Sequence, residues 1–162
     1  MKKGVSLIEI LIVVAIFAVL GLLISRVILT TLRGSNRSDS LVKVRDNLDY
    51  ALSVMERQIR NAESVSPCPN SPPYTRIDFR DSNGIATYFA CTNVGASGYV
   101  ASGSARLTSD QVAITACSLI CTAGTGGVPP AIDISLEARG ANQIGVERAI
   151  VTAVTKIFLR TY

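Results

Sequence analysis

The feature that most constrains this chain is an apolar run at its very start. Positions 10–24 are all apolar if Gly21 is counted, and the wider segment 5–25 carries a single charge, Glu9. As a helix, 21 residues extend about 32 Å, enough to cross the hydrocarbon core of a bilayer. Lys2 and Lys3 precede it, and basic residues next to a span favour the cytoplasmic side. Arg26, Arg33 and Arg37 lie past the other end and weaken that bias without reversing it. A cleaved secretory signal fits less well. No small-x-small cleavage site follows the run, which continues into Ser25-Arg26-Val27. A carboxylate at the front of the run is also an unneeded cost. At mid-membrane it amounts to about 2.5–3.5 kcal/mol, and less near the edge. A plain anchor whose Glu9 reaches back to the headgroups is the simpler alternative.

The chemistry available downstream is narrow. The 162 residues contain no His, which excludes Ser-His-Asp and Cys-His catalysis and any His-containing metal site. Nothing calls for a cofactor. With no Trp and 6% aromatics, the core must rest on Val, Ile, Leu and Ala. From residue 26 onward there are fourteen basic and eleven acidic side chains. That balance is too weak to demand nucleic acid as a partner.

The opening itself, Lys2-Lys3-Gly4 before Val5-Ser6-Leu7-Ile8-Glu9 and an uninterrupted apolar helix, resembles the processing signal of type IV prepilins and pseudopilins. The resemblance implies that residues 1–4 are a leader with Lys2 and Lys3 as its charge. It implies that a prepilin peptidase cuts after Gly4, that Val5 becomes the N-methylated terminus, and that Glu9 is the acidic fifth residue used in assembly. Other pilin or pseudopilin subunits and an inner-membrane assembly platform would be the partners, with the lipid bilayer holding the chain beforehand. The expected location is the cytoplasmic membrane, N-terminus inside and head outside, and then a periplasmic or surface filament. Type IV pili, type II secretion pseudopili and DNA-uptake pili all remain open. Val5 stands where the family usually has Phe. Arg26 stands where major pilins usually carry a kinking Pro, which points to a minor subunit.

The motif has a physical logic of its own. Cleavage after Gly4 exposes an α-amine one helical turn from Glu9. That carboxylate is poorly placed to reach its own terminus and well placed to reach a neighbour's. In apolar surroundings such a pair sets axial register more than it adds affinity.

Beyond the span, residues 26–63 read as the same helix turned amphipathic. Leu41, Val44, Leu48, Ala51, Met55, Ile59 and Ala62 recur every three or four positions, a stripe expected to pack on the domain's own sheet. Gly34-Ser35-Asn36 interrupts good helix formers. The Gly alone costs about 1 kcal/mol, so a kink or local break is expected there. Residues 63–66 are expected to fray, with Pro67 as the boundary.

Residues 64–162 alternate in short runs between turn signals and read as an antiparallel β head. Strands are expected at 76–80 and 85–91 around the Asp81-Ser82-Asn83-Gly84 turn, briefly near Tyr99, and at 112–120, 132–138 and 148–159. The whole is α+β, one long N-terminal helix packed on an antiparallel sheet of about five strands, which resembles the type IV pilin fold. More weakly, Leu107-Thr108-Ser109-Asp110, the Pro129-Pro130 turn and the final Thr-rich strand resemble minor pilins and the larger minor pseudopilins.

Four cysteines, Cys68, Cys91, Cys117 and Cys121, lie in the head, and an even count in an exported domain suggests disulfides. Cys68 with Cys91 is the favoured pair, worth about 3 kcal/mol by loop closure. Cys117 and Cys121 would sit about 13 Å apart on one face of a straight strand, so bonding each other would need a bulge or turn. Buried free thiols are the competing expectation for them.

Other candidates carry less. Gly124-Thr125-Gly126-Gly127 lacks the Lys of a phosphate loop and reads as a turn. Asp78, Asp81 and Asp110 are too scattered for a calcium site or a carboxylate pair. Arg26, Arg33 and Arg37 are placed to meet lipid phosphates. Arg57 and Arg60 neighbour Glu56 and Glu63 on a solvated helix face. The sequence thus favours a non-enzymatic filament subunit with no catalytic residues. A membrane-tethered binding module that never polymerises is the alternative. An anchored enzyme has no supporting constellation.

Overall fold

The three-to-four spacing of apolar side chains after residue 40 organises the core. In the computed structural model, which describes residues 7–141 and 150–159, helix α1 spans Leu7–Arg60. Val44, Leu48, Ala51, Met55 and Ile59 are buried along one face, with Val54 beside them, while Leu41 and Ala62 flank the core half-buried. The expected break at Gly34-Ser35-Asn36 does not occur, and α1 runs through it without interruption. A penalty of about 1 kcal/mol for one glycine is small beside the cooperativity of a helix extended on both sides.

The chain divides into two units, Met1–Ser38 and Asp39–Tyr162. The described part of the first is helix alone, with its large apolar side chains exposed from Leu7 to Leu32. The second contains the rest of α1 and eight strands among the described residues. These are β1 (Ser64–Ser66), β2 (Arg76–Arg80), β3 (Ala86–Thr92), β4 (Tyr99–Ser102), β5 (Ala105–Arg106), β6 (Val112–Thr122), β7 (Ala131–Gly140) and β8 (Ile150–Phe158).

All pairings between these strands are antiparallel, but they form two sheets where the sequence suggested one: β1-β2-β3-β4-β5 and β6-β7-β8. Alternation reveals which face of a strand is buried and says nothing about its neighbours. The sheets and the helix share one core. Ile77, Phe79, Phe89 and Val100 come from the first sheet, and Leu119, Ile132, Ile134, Leu136 and Ile157 from the second. The Phe79 and Phe89 rings stack with centroids 5.0 Å apart. Each large side chain buried this way contributes roughly 1.5–3 kcal/mol.

The sheets are sewn together at two places by backbone hydrogen bonds. Near the start of β6, Ile114 donates to the Gly98 carbonyl at 2.9 Å and accepts from the Gly95 amide at 2.8 Å. A Cβ at Gly98 would lie 2.1 Å from the Ile114 carbonyl oxygen, so the seam requires glycine. Gly98→Ala is expected to lower the stability of the head by about 2–3 kcal/mol, read as a fall in the thermal midpoint of the detergent-solubilised chain.

The second seam involves the loop at 67–75. The Leu119 amide donates to the Tyr74 carbonyl at 2.7 Å. The side chain of Asn70 then continues the pairing. Its Nδ2 donates to the Leu119 carbonyl at 2.6 Å, and its Oδ1 accepts from the Cys121 amide at 2.9 Å. One carboxamide thereby serves the outer edge of β6 as a peptide unit would.

This seam decides the disulfides. All four cysteines are oxidised, as Cys68–Cys121 and Cys91–Cys117. The favoured Cys68–Cys91 pair is therefore wrong, and so is the expectation of free thiols at Cys117 and Cys121. The Cys91 amide does meet this loop, donating to the Thr75 carbonyl at 2.8 Å. Its side chain, however, shares the buried parity of Phe89 and points at the core, where it meets β6. Cys68 is carried along the β6 edge by the Asn70 contacts and meets Cys121 instead. Cys117 and Cys121 do not bond each other, and no bulge or turn falls between them on β6.

Candidate functional site: the N-terminal helix

Where the described chain begins, α1 is apolar on every side, with Glu9 the acidic residue of its first turn. An acid there complements the positive end of the helix dipole. The side chain is exposed, and no ion pair involves it among the described residues. Lys2, Lys3, Gly4 and Val5, the leader charge and the cleavage and methylation positions of the sequence reading, lie outside the described residues.

The polar side chains near the far end of the apolar run make no demand on outside partners. Ser25 Oγ donates to the Gly21 carbonyl at 2.8 Å, Thr30 Oγ1 to Arg26 at 2.8 Å and Thr31 Oγ1 to Val27 at 2.9 Å. Hydroxyls satisfied within their own helix can enter an apolar medium at low cost. α1 is long and apolar enough to cross a membrane, and none of its apolar window is buried against this chain. Gly21 likewise has open space where a Cβ would stand. An exposed apolar helix surface of this kind is one that lipid or other helices can cover.

In the head, the polar residues considered from sequence have local roles. Asp81 Oδ1 accepts the amides of Asn83 and Ile85 at 2.8 and 2.9 Å, closing the β2–β3 turn. Asp78 holds Arg76, whose Nη2 lies 2.6 Å from Oδ1. The hydrogen bonds to Asp78 raise the Arg76 pKa above its ordinary value, and the guanidinium lies 3.9 Å from the Tyr88 ring centroid. Arg60 pairs with Glu56 one turn away at an exposed site, where such pairs contribute little. Gly126 and Gly127 have φ of +61° and +84°, between Thr125 and Val128, which bridge each other. That is a tight glycine turn, as its composition indicated. Among the described residues, no three His, Cys, Asp or Glu side chains group as a metal site.

Sequence reasoning missed β1, β5 and the role of Asn70. The two strands are three and two residues long, too short to alternate visibly. Asn70 carried no signal beyond its place among prolines.

The signal at the front of the helix is recognised independently. Residues 1–25 match the family model described as the prokaryotic N-terminal methylation motif. No curated protein and no solved structure matches the chain. The match covers the apolar run and the basic residues before it. With it, one long apolar N-terminal helix packed on antiparallel sheets and two disulfides make a pilin-like α+β architecture.

Proposed function

We propose that this prepilin-like precursor is a minor structural subunit of a type IV pilus or a type II secretion pseudopilus. A prepilin peptidase cuts between Gly4 and Val5, and Val5 is then N-methylated. Until assembly the helix rests in the cytoplasmic membrane, N-terminus inside and head outside. It then leaves the bilayer to pack against the helices of other subunits, with Glu9 meeting a neighbour's new amine, on an inner-membrane assembly platform. The observation that carries the reading is the methylation motif continuous with an exposed apolar helix. A helix that only anchored the chain would need the apolar length but not the motif.

The test is the intact mass of the protein from its native membrane, before and after reduction. Loss of residues 1–4 with gain of one methyl group is the expected result, together with a reduction shift of about four hydrogens for two disulfides. A full-length, unmethylated chain beside an active prepilin peptidase would leave a tethered extracytoplasmic module and sink the filament reading.

A further inference from the structure

Each of the two sheets has two outer edges, and three of these four are guarded among the described residues. The edges of the first sheet are β1 and β5, three and two residues long, too short to template another strand. In the second sheet, the free side of β6 is held by the Gly95 and Gly98 contacts and by Tyr74 and Asn70. The fourth edge is β8, nine residues without Pro or Gly and about 30 Å long. One bond fixes which of its backbone groups face outward. The Leu159 amide donates to the Pro130 carbonyl at 2.8 Å, and the same register sets Ile157 against Ile132 and Val151 against Ala138. Hydrogen-bonded pairs alternate along an antiparallel ladder, so residues 151, 153, 155 and 157 turn their backbone groups to β7. Ile150, Thr152, Val154, Lys156 and Phe158 turn theirs outward, and among the described residues β7 is the sole strand paired with β8. The eight residues 142–149 are too few to run the length of this edge and return. The side chains of the same five residues stand on the face away from the core, since Val151 and Ile157 are buried. Ile150, Val154 and Phe158 are exposed there, Val154 at 70%. Lysine is a common guard of open edges, but Lys156 reaches to Asp133 on β7 at 3.4 Å.

We propose that the free edge of β8 receives an extended strand from a different protein. A helix or a lipid could cover the Ile150, Val154 and Phe158 side chains, but only a strand also meets the amides and carbonyls that alternate with β7-facing ones along the edge. The partner strand carries β-branched or aromatic side chains opposite Ile150, Val154 and Phe158, and polar ones opposite Thr152 and Lys156. A second copy of this chain is the weaker occupant. Its other edges are guarded, so it could offer only its own β8, and β8 on β8 is a closed two-fold contact. A minor subunit placed singly among other subunits does not meet such a contact. The choice of a different protein therefore rests on the minor-subunit reading, whereas the strand-accepting edge does not.

The experiment uses the full chain, reconstituted in lipid nanodiscs, and a fluorescent nine-residue peptide, Val-Thr-Glu-Thr-Val-Thr-Thr-Thr-Val. Laid antiparallel, its valines oppose Phe158, Val154 and Ile150, and its glutamate opposes Lys156. Saturable binding is expected. N-methylation of the third, fifth and seventh peptide residues, whose amides would face β8, should weaken it about tenfold or more, while N-methylation of the fourth and sixth should leave it unchanged. Val154→Pro removes one outward donor and none of the bonds to β7, and should weaken binding about fivefold or more. Val154→Lys keeps every donor and stands a charge over the edge, with the same expected loss, so it carries the test if the proline variant does not fold. The two disulfides and the thermal midpoint of the head are the folding controls. Absence of saturable binding, or equal loss from the two methylation patterns, overturns the strand-accepting edge. Self-association of the chain that Val154→Lys abolishes overturns the different protein as occupant. Failure of the chain to enter filaments, with the peptide results as expected, sinks the subunit reading and leaves the edge standing.

Discussion

Replacing Glu9 with alanine is expected to leave the chain in the membrane and to remove it from the filament, with a fall in incorporated copies of about a hundredfold. The helix keeps its apolar length, so anchoring is untouched. On the proposed reading, what is lost is the charge that rewards a single axial position. Packing between apolar helices is tolerant of sliding, because neighbouring registers bury nearly the same area. A carboxylate in that setting is penalised unless an amine sits beside it, and the penalty for misplacement selects the register. Glu9→Gln should behave like alanine, since a neutral amide has no comparable stake in finding the amine. Quantifying the chain in sheared-filament and membrane fractions separates the outcomes. Equal incorporation of the wild-type and alanine chains would show that Glu9 does not set register. Glu9 belongs to the first turn of α1 and is exposed, so a change in head stability is not expected from either variant.

Removing the Cys68–Cys121 bridge by alanine at both positions is expected to lower head stability by about 4 kcal/mol, and removing Cys91–Cys117 by about 3.5 kcal/mol. The difference follows from their sequence separations of 53 and 26. The shorter loop lies inside the longer one, so each bridge limits what loss of the other releases, and losing both should cost more than the two single losses added together. Denaturant unfolding of the solubilised chain, oxidised and with each pair replaced, measures this directly. A loss near zero for Cys68–Cys121 would mean that the Asn70 and Tyr74 contacts hold the loop on β6 unaided. A head this dependent on oxidation suits the proposed topology, because disulfides persist outside the cytoplasm.

Much of the architecture was legible because it is written in local periodicity. Leu41, Val44, Leu48, Ala51, Met55 and Ile59 declare a helix face without reference to the rest of the chain. The runs 76–80 and 132–138 declare strands by parity, and Asp81-Ser82-Asn83-Gly84 declares the turn after the first of them. What could not be read is what depends on distant neighbours. The split into two sheets turns on β6 pairing with β7 rather than with β5. The cysteine pairing turns on the loop at 67–75 lying along β6, a fact recorded in one asparagine. At the N-terminal site the residue pattern was informative because it is dense: basic pair, small residue, acid and apolar helix fall within 25 positions.

The carboxamide of Asn70 has a consequence for life in a crowd. In the proposed filament, heads carried on packed helices would meet one another at very high local concentration, and an open strand edge under those conditions is an invitation to merge. By occupying the donor at Cys121 and the acceptor at Leu119, Asn70 makes that stretch of β6 unavailable to an intruding strand. On the proposed reading, the head can therefore be brought beside other heads without its sheet growing into theirs along β6.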